Sequence, residues 1–156
     1  NKKFNCKFIA IAVTDLKIRF KIFKKLSKLN YKFPNIIDPS AMLDNNVKLK
    51  KGIIVGMNSV ILNKVTIDSL TIVGTSVNIL HDTKIGKNCL IGGGTVIGAN
   101  ITFKDNIHVG VGSVFPSKKI KIENDCLISS GSVVLSSLKM KSKVIGNPAR
   151  VISINE

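Results

Sequence analysis

The 156-residue chain has no tryptophan, seven phenylalanines and one tyrosine, so an aromatic platform for stacking nucleic-acid bases is hard to build. Two histidines leave too few imidazoles for a three-histidine metal centre within one chain. The three cysteines, Cys6, Cys89 and Cys126, contain no C-x-x-C pair. No apolar run approaches the roughly 18 residues that a membrane-spanning helix requires, and no signal peptide is visible. A G-x-G-x-x-G turn and a nucleophile elbow are also absent, which argues against a simple dinucleotide site and against Ser-His-Asp catalysis. Acidic residues are scarce, nine against 24 Lys and Arg, and the formal charge is +15. Such a balance favours phosphate-bearing ligands, nucleic acid or anionic lipid, although a Lys-, Asn- and Ile-rich coding bias produces it equally well.

What the chain does have is a period of six. From Ile37 to Phe115 every sixth residue is apolar: Ile37, Leu43, Leu49, Val55, Ile61, Ile67, Val73, Ile79, Ile85, Ile91, Ile97, Phe103, Val109 and Phe115. At the chain's apolar content such a run arises by chance about once in 10^5 per reading frame. Four residues after each of these stands something small or β-branched, such as Ser59, Thr71, Thr83, Cys89 or Thr95. Neither helical nor simple strand periodicity produces this pattern, whereas a parallel β-helix does. Three two-sided hexads close one 18-residue coil, and coils stack at about 4.8 Å. Prisms of this kind wind left-handed, against the usual crossover rule. The first and fifth positions point inward, which makes Cys89 and Cys126 core thiols and points to a reducing, cytoplasmic setting. The frequent glycine at the second position is expected to serve sharp corners.

The frame breaks after Phe115, where one extra residue and an ill-placed Lys119 predict a bulge. It is expected to resume at Ile122, Ile128, Val134 and Met140. Eighteen hexads give about six coils, on the order of 29 Å tall. Ahead of the prism, Phe8–Val13 reads as a buried strand. Asp15–Leu29 reads as a basic helix with Thr14 as N-cap and Ile18, Ile22, Leu26 and Leu29 on one face. Three regions follow: an α/β segment over 1–33, the β-helix over 34–145 and a tail over 146–156. The chain opens on Asn1 rather than Met, as a piece of a longer protein would.

Within the prism the chemistry-bearing candidate is His81, at an outward corner and followed at once by Asp82. An imidazole beside a carboxylate can be held in one tautomer and made a stronger base. A solvated surface pair is the plainer alternative. His108 has no acidic neighbour in its hexad and reads as surface. Gly92-Gly93-Gly94 keeps the hexad spacing and lacks the Lys-Ser/Thr partner of a phosphate loop, so corner packing fits it better.

Phe33-Pro-Asn-Ile-Ile-Asp-Pro-Ser-Ala41, His81-Asp-Thr-Lys-Ile-Gly86 and the closing Val144-Ile-Gly-Asn-Pro-Ala-Arg-Val-Ile152, together with the hexad array, resemble the hexapeptide-repeat sugar O- and N-acyltransferases. That group includes the sialic acid O-acetyltransferases and the UDP-N-acetylbacillosamine N-acetyltransferases. Residues 8–33 are similar to the end of that family's Rossmann-like nucleotide-sugar domain, whose glycine-rich start is not in this chain. The resemblance implies a homotrimer with active sites between prisms and direct transfer from acetyl-CoA to a nucleotide-linked sugar. It implies that His81 is the general base and Asp82 its carboxylate partner, with no metal. Acetyl-CoA would be held at Val111 and Ser130, with Arg150, Lys141 and Lys143 near its 3′-phosphate; a solvated face is the plainer reading of the two lysines. Leu90 would lie near the acetyl group, where the family usually carries a second histidine. Leu80 and Gly74 stand where an acidic residue and an asparagine are common. A non-catalytic trimeric scaffold is the competing reading, and a basic nucleic-acid binder ranks last for want of recognition motifs.

Overall fold

In the computed structural model, which describes residues 7–154, two-residue strands recur about every six residues and assemble into three sheets, parallel throughout except for the last pair of one of them. One face stacks the strands beginning at Ile36, Ile54, Ile72, Leu90, His108, Leu127 and Ser142; the second those at Met42, Val60, Asn78, Val96 and Val114. The third face stacks Lys48, Thr66, Lys84, Thr102 and Lys121. The result is a left-handed parallel β-helix of about six coils, as the hexad period predicts.

The inward residues form one continuous core. Ile61, Ile79, Ile91, Ile97, Val109 and Phe115 are fully buried, and Phe103 packs edge-on against Phe115 with centroids 5.0 Å apart. Hydroxyls at the fifth position are buried and most of them are bonded, Ser132 Oγ being left without a partner. Thr71 Oγ1 donates to the Gly86 carbonyl at 2.8 Å and accepts the Cys89 amide at 3.1 Å. Thr83 makes the same two bonds, to the Gly98 carbonyl at 2.9 Å and from the Ile101 amide at 3.3 Å. Each of these hydroxyls therefore ties its coil to the next while satisfying its own polarity, which is why Thr and Ser replace aliphatic residues there.

The second-position glycines have a different cause from the one expected. Positive φ falls at the fourth position of the hexad, on Asn58, Leu70, Asp82, Asn88 and Asn100, and not on Gly56, Gly74 or Gly92. Those glycines instead sit where the next coil's backbone passes. A Cβ on Gly92 would lie 2.6 Å from the Val111 amide nitrogen, and one on Gly74 2.7 Å from that of Gly93. Close stacking, not turn conformation, excludes a side chain there.

The break after Phe115 appears as anticipated. Pairing shifts from 18 residues to 19, with Phe103 opposite Ile122, and Ile120 takes the inward place beside an exposed Lys119. A second irregularity was not anticipated. Ile122 bridges Leu138 and Ile128 pairs with Val144, a coil of only 16 residues. Leu138 is buried and Met140 is 52% exposed, so Met140 is not a core residue. Leu138 reaches the interior two residues early because its amide bonds the Lys121 carbonyl at 3.0 Å.

The α/β segment departs further from expectation. Phe8–Val13 is not a buried strand: of these residues Phe8 alone forms a bridge, to Lys32, and only Ile11 is buried, Phe8 itself being 58% exposed. The helix, α1, is Leu16–Ser27. Asp15, not Thr14, caps it, its carboxylate accepting the Ile18 amide at 2.8 Å. Ile18 and Leu29 are exposed, while Phe20, Ile22, Phe23 and Leu26 pack around Ile11, Phe33 and Leu70. The helix is rotated by Arg19, which is fully buried. Its guanidinium donates to Asn88 Oδ1 at 2.9 Å, to the Val13 carbonyl at 2.9 Å, and to the Asn88 and Cys89 carbonyls at 3.0 Å. Burial lowers the Arg19 pKa to about 10, still well above neutrality.

Candidate functional site

The prism has three edges, and each carries something different. The corner between the second and third faces stacks Asn63, His81 and Ala99. The next carries Leu70, Asn88 and Asn106 and receives α1. The last stacks Gly93, Val111 and Ser130, joined rung to rung by the Gly112 amide on the Gly93 carbonyl at 2.9 Å and the Gly131 amide on the Val111 carbonyl at 2.8 Å.

At the first corner, His81 Nδ1 and Asp82 Oδ2 are 2.8 Å apart. Both side chains are about half exposed, so the ring's other nitrogen is open to a ligand. Adjacent residues meet this way because Asp82 has φ +59°, which turns its carboxylate back toward the ring. The turn itself is held from both sides. The Asp82 amide donates to the Asn63 carbonyl at 3.1 Å, and the His81 carbonyl accepts the Asn100 amide at 3.2 Å. Buried Thr83 anchors the next residue in the core. With Nδ1–H directed at the carboxylate, Nε2 carries the lone pair, the arrangement a general base needs.

The other expected residues are not gathered around it within one chain. Val111 and Ser130 share the far edge. Leu90 belongs to the face that does not border the His81 corner, paired with Ile72 and His108. Arg150 begins the Arg150–Ile154 strand, antiparallel to Ser142–Ile145, and is exposed, with Nη1 3.2 Å from the Ala149 carbonyl. Lys143 lies on the same hairpin, and Lys141 precedes it at the edge that carries α1.

Two clefts adjoin these elements. One, of about 540 Å3, is lined by Asp82, Lys84, Asn100, Thr102, Lys119, Ile120 and Lys121. The other, of about 640 Å3, lies where the start of α1 meets the prism, and Asn106, His108 and Asp125 line it. His108 is half-buried rather than a plain surface residue, and desolvation, then the Arg19 charge, lowers its pKa below the ordinary 6.5. Burial pushes the Cys89 thiol up to about 12, which makes it an inert core group as its hexad position implies.

A left-handed prism of hexapeptide coils with an imidazole–carboxylate contact on one edge defines the class by its fold: a hexapeptide-repeat β-helix. The chain belongs to the family described as the GMPPB C-terminal domain, whose model matches residues 32–126. Its structure superposes on PerB from Caulobacter crescentus, solved with CoA and GDP-perosamine, with a TM-score of 0.92 at 25% identity over 96% of this chain and 72% of that one. The acetyltransferase domain of PglB from Neisseria gonorrhoeae, solved with acetyl coenzyme A, shares the fold: TM-score 0.88, 22% identity, 92% of this chain and 70% of that one. Serine acetyltransferase 2 of Arabidopsis thaliana is 27% identical over 83% of this chain and 36% of its own length. The chain spans between 31% and 41% of the length of the curated relatives it matches. Among the described residues no helix is long and apolar enough to cross a membrane.

Proposed function

We propose that the chain is the catalytic β-helix of an acetyl-CoA-dependent acyltransferase acting on a nucleotide-linked amino sugar, with His81 as general base. The observation that carries this is the 2.8 Å His81–Asp82 contact on an outward edge, in a fold whose PerB relative is solved with CoA and GDP-perosamine. His81 Nε2 takes the proton of the acceptor amine or hydroxyl as it attacks the thioester carbonyl. A backbone N–H stabilises the oxyanion, and CoA leaves as the thiolate. Asp82 keeps Nδ1 protonated and stabilises the imidazolium. No covalent enzyme intermediate and no metal takes part.

The separation of the candidate residues supports a homotrimer. The face between the His81 edge and the Val111 edge is the one beginning at Met42, Val60, Asn78, Val96 and Val114, and it exposes Met42, Leu62 and Val96. Packing three such faces around an axis brings the His81 edge of one chain to the Val111–Ser130 edge of its neighbour. Acetyl-CoA would then lie between them, with Leu90 of that neighbour's adjoining face beside the acetyl group and Arg150, Lys141 and Lys143 toward the 3′-phosphate.

The serine acetyltransferase likeness supports a second acceptor class, a small hydroxy-amino acid. A thiol-release assay with acetyl-CoA against nucleotide-linked 4-amino sugars and serine tests both. Release with an amino sugar supports the first reading and release with serine the second. No release with either, and no CoA-induced thermal shift, leaves the scaffold reading; a binder at 100 Kd gains about 2.7 kcal/mol.

A further inference from the structure

The third face is unlike the other two. Its outward strand positions read Lys48, Thr66, Lys84, Thr102 and Lys121 in register, with no apolar side chain among them. Near the His81 corner this face opens into the 540 Å3 cleft, whose wall brings Lys84, Lys119 and Lys121 to the flank of Asp82. The charges there are unevenly compensated. Lys121 is paired with Glu123, and the Asp82 carboxylate is committed to His81. Neither Lys84 nor Lys119 has an ion-pair partner among the described residues.

The sequence irregularity is what supplies the third lysine. The residue inserted after Phe115 lets Ile120 fill the core, which leaves Lys119 outside, over the cleft. Ser117 fixes this bulge by accepting the Ala99 amide on its hydroxyl at 3.0 Å. Without the extra residue Lys119 would fall on an inward place, so the bulge and the cationic cleft are one feature.

We propose that Lys84, Lys119 and Lys121 form a subsite for the diphosphate group of a substrate, beside the dyad. A diphosphate carries the charge that Lys84 and Lys119 leave unbalanced, with Lys121 beside them, and Thr102 and Asn100 add neutral donors. Two co-substrates of the transfer bring such a group, CoA and a nucleoside-diphosphate sugar. The inference rests on the transfer reading for its choice of ligand, but its test is binding rather than turnover.

Isothermal titration with CoA, and separately with UDP and GDP, is run on the wild type, Lys84→Ala, Lys119→Ala and their double variant. Lys48→Ala, on the same face but outside the cleft, controls for net charge. Each cleft substitution is expected to weaken one ligand about tenfold, the order of one charge-assisted contact, while Lys48→Ala leaves it unchanged. Loss confined to CoA assigns the cleft to the acyl donor, and loss confined to the nucleoside diphosphates assigns it to the acceptor. Equal effects from Lys48→Ala, unchanged affinities, or no binding of any probe by the wild type would overturn the subsite. Wild-type turnover with unchanged affinities in the variants would overturn the subsite alone. An inactive protein whose lysine variants still lose affinity would overturn the transfer reading alone.

Discussion

Arg19 and Asn88 form the joint between the helix and the prism. The guanidinium Nε reaches Asn88 Oδ1 at 2.9 Å, and Asn88 Nδ2 returns a bond to the Leu16 carbonyl at 2.9 Å. Asn88 is itself 1% exposed and holds φ +57°, a conformation that asparagine tolerates better than most residues. Replacing Arg19 with Met keeps the apolar stem but strands Asn88 Oδ1 and the Val13 and Asn88 carbonyls. The expected loss is about 3 kcal/mol in urea unfolding. Amide exchange should rise first in α1, since the coils keep their own ladders.

Turnover tests the dyad. His81→Ala should lower kcat by about 10^2–10^4-fold with the β-sheet circular dichroism unchanged, since the side chain is exposed and supports no core contact. Asp82→Asn keeps a residue suited to positive φ and removes only the charge. A smaller fall in kcat is expected than for His81→Ala, since the ring keeps a hydrogen-bond partner at Nδ1 and loses only the carboxylate charge. Unchanged turnover in His81→Ala would remove it from the reaction.

Glycine substitutions separate two kinds of constraint. Gly92→Ala sets a Cβ 2.6 Å from the Val111 amide, so two coils must part and the thermal midpoint should drop sharply. Gly94→Ala meets nothing within 4 Å and bears only the strain of φ +67°, about 1 kcal/mol. Similar losses for both would mean that coil stacking is not what excludes the Gly92 side chain.

His108 predicts a pH-dependent stability. Its folded pKa lies below the unfolded 6.5, so the unfolded chain binds more protons between the two values. The contribution is therefore complete above pH 6.5 and is lost as pH falls through the folded pKa. Thermal midpoints of wild type and His108→Gln should differ in slope across that interval and run parallel above it. Parallel curves throughout would contradict the burial of this imidazole.

The prism was legible because a period-six core pattern has one geometric solution, and each inward position reports on its own neighbours one coil away. The His81–Asp82 pair was legible for the same local reason: two adjacent residues at a known corner. Met140 and Thr14 were misassigned where the choice lay between neighbours of similar chemistry, and a single hydrogen bond decided it, Leu138 to Lys121 in one case and Ile18 to Asp15 in the other.

The sequence by itself determined the coil, its interior and the residue at each corner, because side-chain direction in a hexapeptide prism follows from position number alone. Only the tertiary structure decided that Arg19 turns the helix, that second-position glycines answer to the coil above, and that the bulge carries Lys119 to the flank of Asp82. These depend on how closely particular atoms approach between one coil and the next and between the helix and the prism, and a repeat of apolar positions tells which residues are neighbours but not how near their atoms come.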